Sequence, residues 1–312
     1  MRVLSIGEPL IEFTSRRDAP STFDRRAGGD TLNTAIYLAR LMGPGRVGYL
    51  SCLGDDPHSQ WLRAQIAGEG VDTRFLLERP GARPGLSFVA TDAAGERSFA
   101  YWRDQSPFRD MFGDGAGLDA LDHADTLFLS AVALAVLRPA GRAALLDALQ
   151  QRRAQGAAVV FDTNYRPALW PDAATARDAI ARAAKLASLL LPSFDDMAAC
   201  FGSADPAGAI AALRGMTDAE IILTTGGGPV LRCATGSDRS ERHELPPPVV
   251  AVDTTGAGDS FNAGLLAARM AGLAVDRAIA AGARLASVVV THPGAVIPRT
   301  AMPALPTNES LP

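Results

Sequence analysis

The sequence predicts an α/β fold with a doubly wound, mainly parallel sheet flanked by helices. Strand-like runs alternate with helix-like runs over most of the 312 residues, and the strand-like runs are continuously apolar. Continuous apolar strands suit a sheet that is covered on both faces. The length predicts a single domain, 1–312, with a small β-lid beside the main sheet.

The strand candidates are the apolar runs "RVLSIGE" from Arg2, "VGYLSCLG" from Val47, "TLFLSA" from Thr126, "AAVVFD" from Ala157, "SLLLPS" from Ser188 and "EIILTT" from Glu220. The helix candidates are the longer runs between them, namely Asp30–Leu41, Ser59–Ala67, Arg138–Gln155, Ala173–Ala187, Pro206–Arg214, Ala257–Ala271 and Val275–Val290. Their regular alternation predicts parallel strands joined by crossover helices.

One segment interrupts this alternation. "GLSFVATDAAGERSFAYWRD", from Gly85 to Asp104, contains two strand-like runs around the turn "DAAGE", and the residues after the first strand are also strand-like or irregular. We interpret these two pieces, about 9–26 and 83–106, as the β-lid. The alternative is an edge hairpin without a special role. The Pro-rich tail "MPALPTNESLP" is expected to be loosely held.

Composition limits the class of partner. A formal charge of −4 argues against nucleic acid, and no apolar run reaches the ~20 residues of a membrane span. The N-terminus, "MRVLSIGEPLIEF", has an acid inside its apolar stretch, which favours a first strand over a signal peptide. The cysteines are far apart and have no metal-ligand spacing, which indicates reduced thiols in a cytoplasmic protein; they are Cys52, Cys200 and Cys233.

The stretch "DTTGAGDSFNAG", from Asp253 to Gly264, places glycines at the start of an apolar helix. It is not a dinucleotide fingerprint, because that motif needs a third glycine and lies in the first βαβ unit. It is not a Walker P-loop either, because that loop needs a lysine and Lys185 is the only lysine of the chain. Almost any cationic site in this protein must therefore be built from arginine.

What remains is a glycine turn that opens a helix. Gly256 and Gly258 permit a tight turn and a close approach of a ligand. We expect the free N–H groups of Gly256, Ala257 and Gly258 to form an anion hole, helped by the helix dipole. Asp259 follows, where a carboxylate repels phosphate but accepts the proton of an attacking alcohol. The alternative is that Asp259 only favours the helix dipole.

This stretch resembles the C-terminal signature of the ribokinase-like (PfkB) carbohydrate kinases. "GGDTLNTAIYLARL", from Gly28 to Leu41, resembles their N-terminal signature, although alone it is also an ordinary helix with Asp30 as N-cap. The resemblance covers nearly the whole chain. It implies a ribokinase-like fold, ATP and Mg²⁺ as cofactors, Asp259 as the catalytic base, the Gly256–Gly258 backbone at the transferring phosphoryl group, and sugar contacts from Gly29, Asp30 and Asn33.

Further stretches resemble one branch of this family, the 2-keto-3-deoxygluconate kinases; they are "GEPLIEF", "GERSFAYWR", "FDTNYRPALW" and "GAVIPRTAMPA". That branch phosphorylates a six-carbon sugar acid at its terminal C6 hydroxyl. A sugar carboxylate needs a cation, and arginine offers the best fork for one. The resemblance brings Tyr101 and Arg103 down from the lid and Arg166 up from the core. On the first lid strand, where this branch often has a tyrosine, the chain has Ser87 and Phe88. We therefore expect at most a packing contact from Phe88.

The nucleotide side departs from the family pattern. The loop "TTGGGP" lacks the lysine that the family often carries, so we expect backbone and hydroxyl contacts from Thr224, Gly226 and Gly228, with a plain hairpin turn as the alternative. In "SFDD", Ser193 and Asp196 stand where the family has an N-x-x-E element that organises magnesium through water.

Several alternatives remain open from the sequence. The nearest is a kinase of the same fold for fructose, ribose or a nucleoside. A sugar sensor without catalysis has no need of Asp259, and an NAD-dependent dehydrogenase lacks its early fingerprint. The expected partners are a small sugar acid and ATP, with neither nucleic acid nor membrane. Because the exposed edges of a β-lid often pair with another subunit, we also expect a homo-oligomer formed through the lid.

Overall fold

The computed structural model describes residues 1–16, 19, 21–91 and 97–306. Its strands are β1 (Val3–Ile6), β2 (Leu10–Ser15), β3 (Phe23–Gly28), β4 (Val47–Leu53), β5 (Leu76–Glu78), β6 (Gly85–Thr91), β7 (Arg97–Trp102), β8 (Thr126–Ser130), β9 (Ala158–Asp162), β10 (Leu189–Leu191), β11 (Glu220–Leu223), β12 (Val230–Cys233) and β13 (Ser240–His243). Its helices are α1 (Asp30–Met42), α2 (Pro57–Gly68), α3 (Ala131–Val136), α4 (Pro139–Ala154), α5 (Ala173–Leu186), α6 (Phe194–Phe201), α7 (Pro206–Arg214), α8 (Ala257–Met270) and α9 (Val275–Val289).

A nine-stranded sheet forms the centre of the molecule, in the order β13-β12-β11-β10-β9-β8-β1-β4-β5. Neighbouring strands from β5 to β11 are parallel, whereas β11, β12 and β13 pair antiparallel at one edge. The predicted mainly parallel sheet is confirmed. Three strands, β5, β12 and β13, are not predictable from apolar runs, because they are only three or four residues long and carry charged residues.

Helices cover both faces of this sheet and bury two apolar cores. Along β8 the side chains alternate between them: Leu127 and Leu129 lie in the core under α3, α4, α5, α6 and α7, and Phe128 lies in the core under α1, α2, α8 and α9. Both sides of each central strand are therefore desolvated, which explains why the strands read as continuous apolar runs.

Two short helices were not anticipated by periodicity. The α3 helix directly follows β8, and α6 begins where the sequence analysis extends a strand to Ser193. Instead, β10 ends at Leu191, and the side chain of Ser193 caps α6 by accepting a hydrogen bond from the backbone N–H of Asp196 at 3.0 Å. A short helix buries too few apolar positions to produce a readable period.

A separate four-stranded sheet, in the order β3-β2-β6-β7, is formed by the two segments that interrupt the alternation. We call it the second sheet. Its β2 and β6 strands are parallel, and its outer pairs are antiparallel. The predicted turn at 92–96 and the end of the Pro-rich tail, 307–312, lie outside the described residues. None of the helices among the described residues is long and apolar enough to cross a membrane.

The parallel strands of the main sheet all end at one edge. The loops after β1, β9, β10 and β11 leave from this edge, and the N-termini of α1 and α8 approach it. The carboxyl edge of an open parallel sheet is where α/β proteins bind ligands. The fold therefore gathers the residues of both sequence signatures at one place.

The α8 and α9 helices approach each other through glycines. A Cβ atom at Gly264 would lie 2.8 Å from the Cα atom of Gly282, and one at Gly282 would lie 2.7 Å from the carbonyl oxygen of Phe261. Both obstacles are backbone atoms, which cannot rotate away. The pair of glycines thus sets the distance between the helix that carries Asp259 and its neighbour.

Gly264→Ala is expected to lower the free energy of unfolding by about 1–3 kcal/mol, because the helices must separate to admit the new methyl group. Gly208→Ala in α7 is the matched control, since the nearest atom to its Cβ is the Asp205 side chain at 3.4 Å. The control is expected to be neutral or stabilising by up to about 1 kcal/mol. Urea unfolding midpoints measure both, and equal midpoints for the two variants would contradict the close-packing argument.

Candidate active site

The turn before α8 is built by one carboxylate and one glycine. Asp253 accepts hydrogen bonds through Oδ1 from the backbone N–H of Thr255 at 3.0 Å and from its hydroxyl at 2.7 Å. Gly256 then adopts φ +78°, in the left-handed region that favours glycine, and a Cβ there would lie 2.7 Å from the carbonyl oxygen of Ala295. Asp253 also accepts a hydrogen bond from the N–H of Gly294 at 2.6 Å, which holds the loop after α9 against the turn.

One part of the expected anion hole is wrong. The N–H of Ala257 donates to the carbonyl of Thr254 at 3.2 Å, so it is engaged in the turn rather than free. Backbone–backbone hydrogen bonds are not recorded for the N–H groups of Gly256 and Gly258 within the described residues. These two donors lie at the positive end of the α8 dipole and remain the candidate anion-binding groups.

Asp259 lies in the first turn of α8 and faces α1 rather than its own helix. Its Oδ2 atom accepts a hydrogen bond from Nδ2 of Asn33 at 2.8 Å. The α1 helix makes two further contacts with this region: the hydroxyl of Thr34 donates to the backbone carbonyl of Asp259 at 3.3 Å, and the hydroxyl of Tyr37 donates to the carbonyl of Ala295 at 2.7 Å. The two sequence signatures are therefore in direct contact.

Burial raises the pKa of Asp259 to about 7, and the negative charges of Asp30 and Glu12 add to the increase. The hydrogen bond from Asn33 and the positive charge of Arg166 act in the opposite direction and lower the pKa of Asp259. A carboxylate with a pKa near 7 is matched to accepting a proton at neutral pH. Its position beside the candidate anion-binding turn favours the catalytic interpretation over a helix-dipole role.

A network of amides and carboxylates surrounds Asp259 and was missed by the sequence analysis. Asn164, in the loop after β9, donates through Nδ2 to Oδ2 of Asp30 at 2.7 Å. Asn262, one turn after Asp259, donates through Nδ2 to Oδ2 of Asp162 at 2.9 Å. Burial raises the pKa of Asp162 well above its usual range, and nearby carboxylates add to the increase.

Asp30 does not cap α1, which was the alternative to its expected role as a sugar contact. Gly29 occupies the N-cap position of α1 with φ +123°, and a Cβ there would lie 2.5 Å from the carbonyl oxygen of Glu8. Asp30 is the first helical residue, and its side chain reaches across the site to Asn164. Gly29 therefore allows the chain to turn so that Asp30 and Asn33 face the site.

Arg166 lies at the same edge, in the loop after β9. Its Nη1 atom is 3.6 Å from Oδ1 of Asp196 and donates to the carbonyl of Tyr165 at 2.9 Å. Its side chain is 58% exposed, and its charge lowers the pKa of Asp259. The structure thus brings Arg166 close to Asp259 and leaves part of its guanidinium accessible.

Arg103, at the end of β7, is buried in an ion pair, in contrast to the partly exposed Arg166. Its Nε and Nη2 atoms both donate to Oε2 of Glu8, with the Nε bond at 2.8 Å, and both residues are buried. Glu8 lies just before β2 and Arg103 just after β7, so this ion pair joins the two ends at which the second sheet connects to the rest of the chain. Glu8 belongs to the stretch "GEPLIEF", but no local sequence pattern reveals this pair, because 95 residues separate its members.

The second sheet presents one face to this site. Ser87 and Tyr101 are cross-strand partners, and Glu12 pairs with Ser87 from the other side, so the three side chains share a face. The pKa of Tyr101 is raised, because burial outweighs the opposing effect of the positive charges of Arg103 and Arg166. The carboxylate of Glu12 lies over Gly28, where a Cβ would meet Oε2 at 2.7 Å.

Phe88 lies on the opposite face of the second sheet, away from the site. Its ring stacks on Phe13 with centroids 5.0 Å apart and meets Trp102 edge-on at 4.5 Å. Phe23 also meets it edge-on at 5.9 Å. Phe88 is therefore a packing residue in an aromatic cluster.

The expected nucleotide residues follow β10 and β11. Ser193 and Thr224 lie side by side through a parallel bridge, at the edge where both strands end. The hydroxyl of Ser193 is occupied in capping α6, as described above. Gly226 has φ +65° and forms the turn that leads to Gly228. These residues lie on neighbouring strand ends, but the structure records no direct contact between them and Asp259 among the described residues.

A dedicated metal centre is absent from the part of the chain that the structure describes, since no group of three or more histidine, cysteine or carboxylate side chains could hold an ion there. Asp196 is buried and accepts a hydrogen bond from the hydroxyl of Thr163 at 3.0 Å. A single carboxylate of this kind fits Mg²⁺, which is usually bound through one or two carboxylates together with substrate phosphates.

Comparison with known proteins identifies the family. The model of the pfkB family carbohydrate kinases matches residues 2–302. The chain belongs to the pfkB family. It is therefore a carbohydrate kinase, and the resemblance of the two signatures to this family is confirmed.

Individual pfkB relatives agree with this assignment. The chain is 35% identical over 310 residues to the 2-dehydro-3-deoxygluconokinase of Escherichia coli strain K12, covering 97% of this chain and 99% of that protein. It is 35% identical over 306 residues to the 2-dehydro-3-deoxygluconokinase of Dickeya dadantii, covering 96% and 97%. The crystal structure of a Xylella fastidiosa fructokinase with bound ATP superposes with a TM-score of 0.82 at 25% identity, covering 97% and 95%.

The raised pKa of Asp259 predicts a pH-dependent stability. The pKa is about 7 in the folded protein, above the ordinary 3.8, so the folded state holds a proton that the unfolded state has released. The stabilisation from Asp259 is therefore present below about pH 4 and is lost as the pH rises towards 7. Asp259→Asn removes this loss, so the melting temperature of the variant minus that of the wild type is expected to increase from pH 4 to pH 8.

Asp195→Asn is the matched control, because Asp195 is exposed in the first turn of α6. Its melting curve is expected to follow that of the wild type across the same pH range. A constant difference between Asp259→Asn and the wild type would show that the pKa of Asp259 is not raised.

Proposed function

We propose that the protein phosphorylates 2-keto-3-deoxygluconate at its C6 hydroxyl, with ATP as the donor and 2-keto-3-deoxy-6-phosphogluconate as the product. The observation that carries this proposal is Asp259, a base with a pKa near 7 that stands beside an anion-binding turn and within the field of Arg166. The relatives named 2-dehydro-3-deoxygluconokinase support the choice of sugar.

In the proposed reaction, Asp259 takes part in proton transfer, and the neighbouring glycine turn takes part in phosphoryl transfer. The carboxylate accepts the proton of the C6 hydroxyl while the oxygen of that hydroxyl forms a bond to the γ-phosphorus of ATP. The bond between the γ-phosphorus and the β–γ bridging oxygen breaks at the same time and releases ADP. Gly256 and Gly258 donate their N–H groups to the transferring phosphoryl group. Asn33 holds the carboxylate of Asp259 in orientation through its 2.8 Å hydrogen bond.

The sugar is held by groups of opposite character at its two ends. Arg166 is the more accessible arginine and is proposed to pair with the sugar carboxylate. Arg103 is tied to Glu8, which leaves part of its guanidinium for a second contact. Among the described residues, the buried Oδ1 atom of Asn33 has no hydrogen-bond partner, and a sugar hydroxyl would satisfy it. Asp30 and Tyr101 complete the walls of this site.

The nucleotide is proposed to bind along the ends of β10 and β11, with Thr224, Gly226 and Gly228 at the phosphates and Ser193 beside them. When bound, Mg²⁺ neutralises charge on the β- and γ-phosphate oxygens. Asp196 is the residue proposed to reach the ion through water, because its carboxylate is buried at the same edge of the sheet. The second sheet is proposed to close over the sugar as a lid and to exclude water.

The substrate is tested by measuring ADP release from Mg-ATP with 2-keto-3-deoxygluconate, fructose, ribose and gluconate. We expect a strong preference for 2-keto-3-deoxygluconate and a kcat/KM that rises with pH to a plateau, with a midpoint near the pKa of about 7 of Asp259. Arg166→Ala is expected to raise the KM for the sugar acid, because a charge-assisted pair is lost. Asp259→Asn is expected to lower kcat by ~10²–10⁴-fold.

Arg153→Ala, an exposed arginine in the last turn of α4, is the control for loss of a positive charge. It is expected to leave the KM unchanged. A preference for a neutral sugar, with the KM insensitive to Arg166→Ala, would contradict the acid-sugar assignment. Full activity of Asp259→Asn would contradict the mechanism.

The aromatic face of the second sheet is proposed to join two copies of the chain. Phe23 is 45% exposed and Trp102 is 63% exposed, and both belong to the cluster around Phe88. Exposed apolar patches of this kind mark interaction surfaces. The free, buried cysteines further support a reducing compartment, so we also propose that the protein is cytoplasmic.

Trp102→Glu is expected to shift the protein from dimer to monomer in sedimentation velocity, because a buried unpaired carboxylate opposes association. Val250→Glu, which changes a 91% exposed valine outside the second sheet, is expected to leave the dimer intact. A wild-type monomer, or a dimer that survives Trp102→Glu, would exclude this face as the interface.

A further inference from the structure

Arg25 and Arg26 are consecutive residues of β3 that point to opposite faces of the second sheet. Arg26 pairs with Glu12 in the β2–β3 register, so it lies on the face that carries Glu12, Ser87 and Tyr101. Arg25 lies on the other face, with its guanidinium 4.0 Å from the ring centroid of Trp61 in α2. Only Arg26 is therefore directed towards the active site.

Arg26 reaches from the second sheet to the loop that supports the anion turn. Its Nη1 atom donates to the carbonyl of Pro293 at 2.8 Å, and its guanidinium lies against Gly294 at a point where any side chain would collide with it. The next residue, Ala295, packs against the anion turn, because a Cβ at Gly256 would lie 2.7 Å from the carbonyl oxygen of Ala295. Arg26 therefore contacts the same short loop segment that packs against Gly256.

The anion turn itself offers no positive side chain. It consists of backbone N–H groups, one of which is already engaged, and Asp259 beside it is negative when it acts as base. Phosphoryl transfer places developing charge on the oxygens of the γ-phosphate, and kinases stabilise it with cations as well as N–H donors. The only lysine, Lys185, lies in α5 on the other face of the main sheet.

We propose that Arg26 is a catalytic residue that binds the γ-phosphoryl group of ATP during its transfer. This inference rests on the proposed function and adds a residue that neither sequence signature contains. Arg26 exchanges the neutral carbonyl of Pro293 for the more negative phosphoryl oxygens, a charge-assisted and stronger partner. It takes no proton: the hydroxyl proton goes to Asp259, the new oxygen–phosphorus bond forms at the sugar, and ADP carries away the bridging oxygen.

Because Arg26 is carried by the second sheet, this contact also links the two halves of the site. The phosphoryl group would be held by Gly256 and Gly258 from the core and by Arg26 from the lid. Closure of the lid over the sugar would then complete the phosphate site, so that transfer to sugar is favoured over transfer to water.

The test compares Arg26→Ala, Arg26→Lys and the control Arg25→Ala by steady-state kinetics. For Arg26→Ala we expect kcat to fall by about 10²-fold, as for loss of one preorganised donor, with the KM for the sugar unchanged. Arg26→Lys is expected to recover part of kcat, because it restores the charge without the fork. Arg25→Ala removes an adjacent arginine from the other face and is expected to keep the wild-type kcat.

Calorimetric binding of nucleotides provides a readout that does not depend on the identity of the sugar. With Mg²⁺ present, Arg26→Ala is expected to weaken binding of the β,γ-imido analogue of ATP by about tenfold or more and to leave ADP binding unchanged, because only the former has a γ-phosphate. If the wild type does not phosphorylate 2-keto-3-deoxygluconate but this selective loss is seen, the sugar assignment fails and the role of Arg26 stands.

Two results would overturn the inference. Equal losses of affinity for ADP and for the imido analogue would show that Arg26 supports the nucleotide site only through structure. An unchanged kcat, or an effect confined to the KM of the sugar, would show that Arg26 is a latch to Pro293 or a sugar contact and does not touch the phosphoryl group.

Discussion

The hydrogen bond between Asn33 and Asp259 joins the N-terminal turns of α1 and α8, and the geometry of the site depends on it. One end of α8 carries the N–H groups of the candidate anion-binding turn, while its first carboxylate is held by a hydrogen bond from α1. Without this contact Asp259 would be free to turn towards the candidate anion-binding N–H groups, where its charge would compete with an anion. The close approach of α8 to α9 through Gly264 and Gly282 supports the same arrangement from behind.

The site concentrates negative charge, and the protein tolerates it in two ways. Amides satisfy the carboxylates: Asn33 donates to Asp259 and Asn164 donates to Asp30. Protonation accounts for part of the rest, because burial and mutual repulsion raise the pKa of Asp259 to about 7. A carboxyl group with a pKa near 7 exchanges its proton readily at neutral pH.

The two sheets differ in how well the sequence predicts them. The main sheet was predictable, because each central strand is buried on both faces and so leaves a continuous apolar run. The second sheet was recognisable only as an interruption, and its two faces became distinct through register. That register separates Phe88 from Ser87 and Arg25 from Arg26, and a shift of one residue would exchange their roles.

The sequence by itself determined the local chemistry of this protein: a glycine turn that opens α8, an acid at its first turn, and arginine as its source of cationic groups. Only the tertiary structure decided which groups share a site. It paired Arg103 with Glu8, engaged the N–H of Ala257, and placed Arg26 beside the loop that supports the anion turn. The reason is physical: desolvation and Coulomb interactions depend on distances between residues that are remote in the chain, and no local pattern encodes those distances.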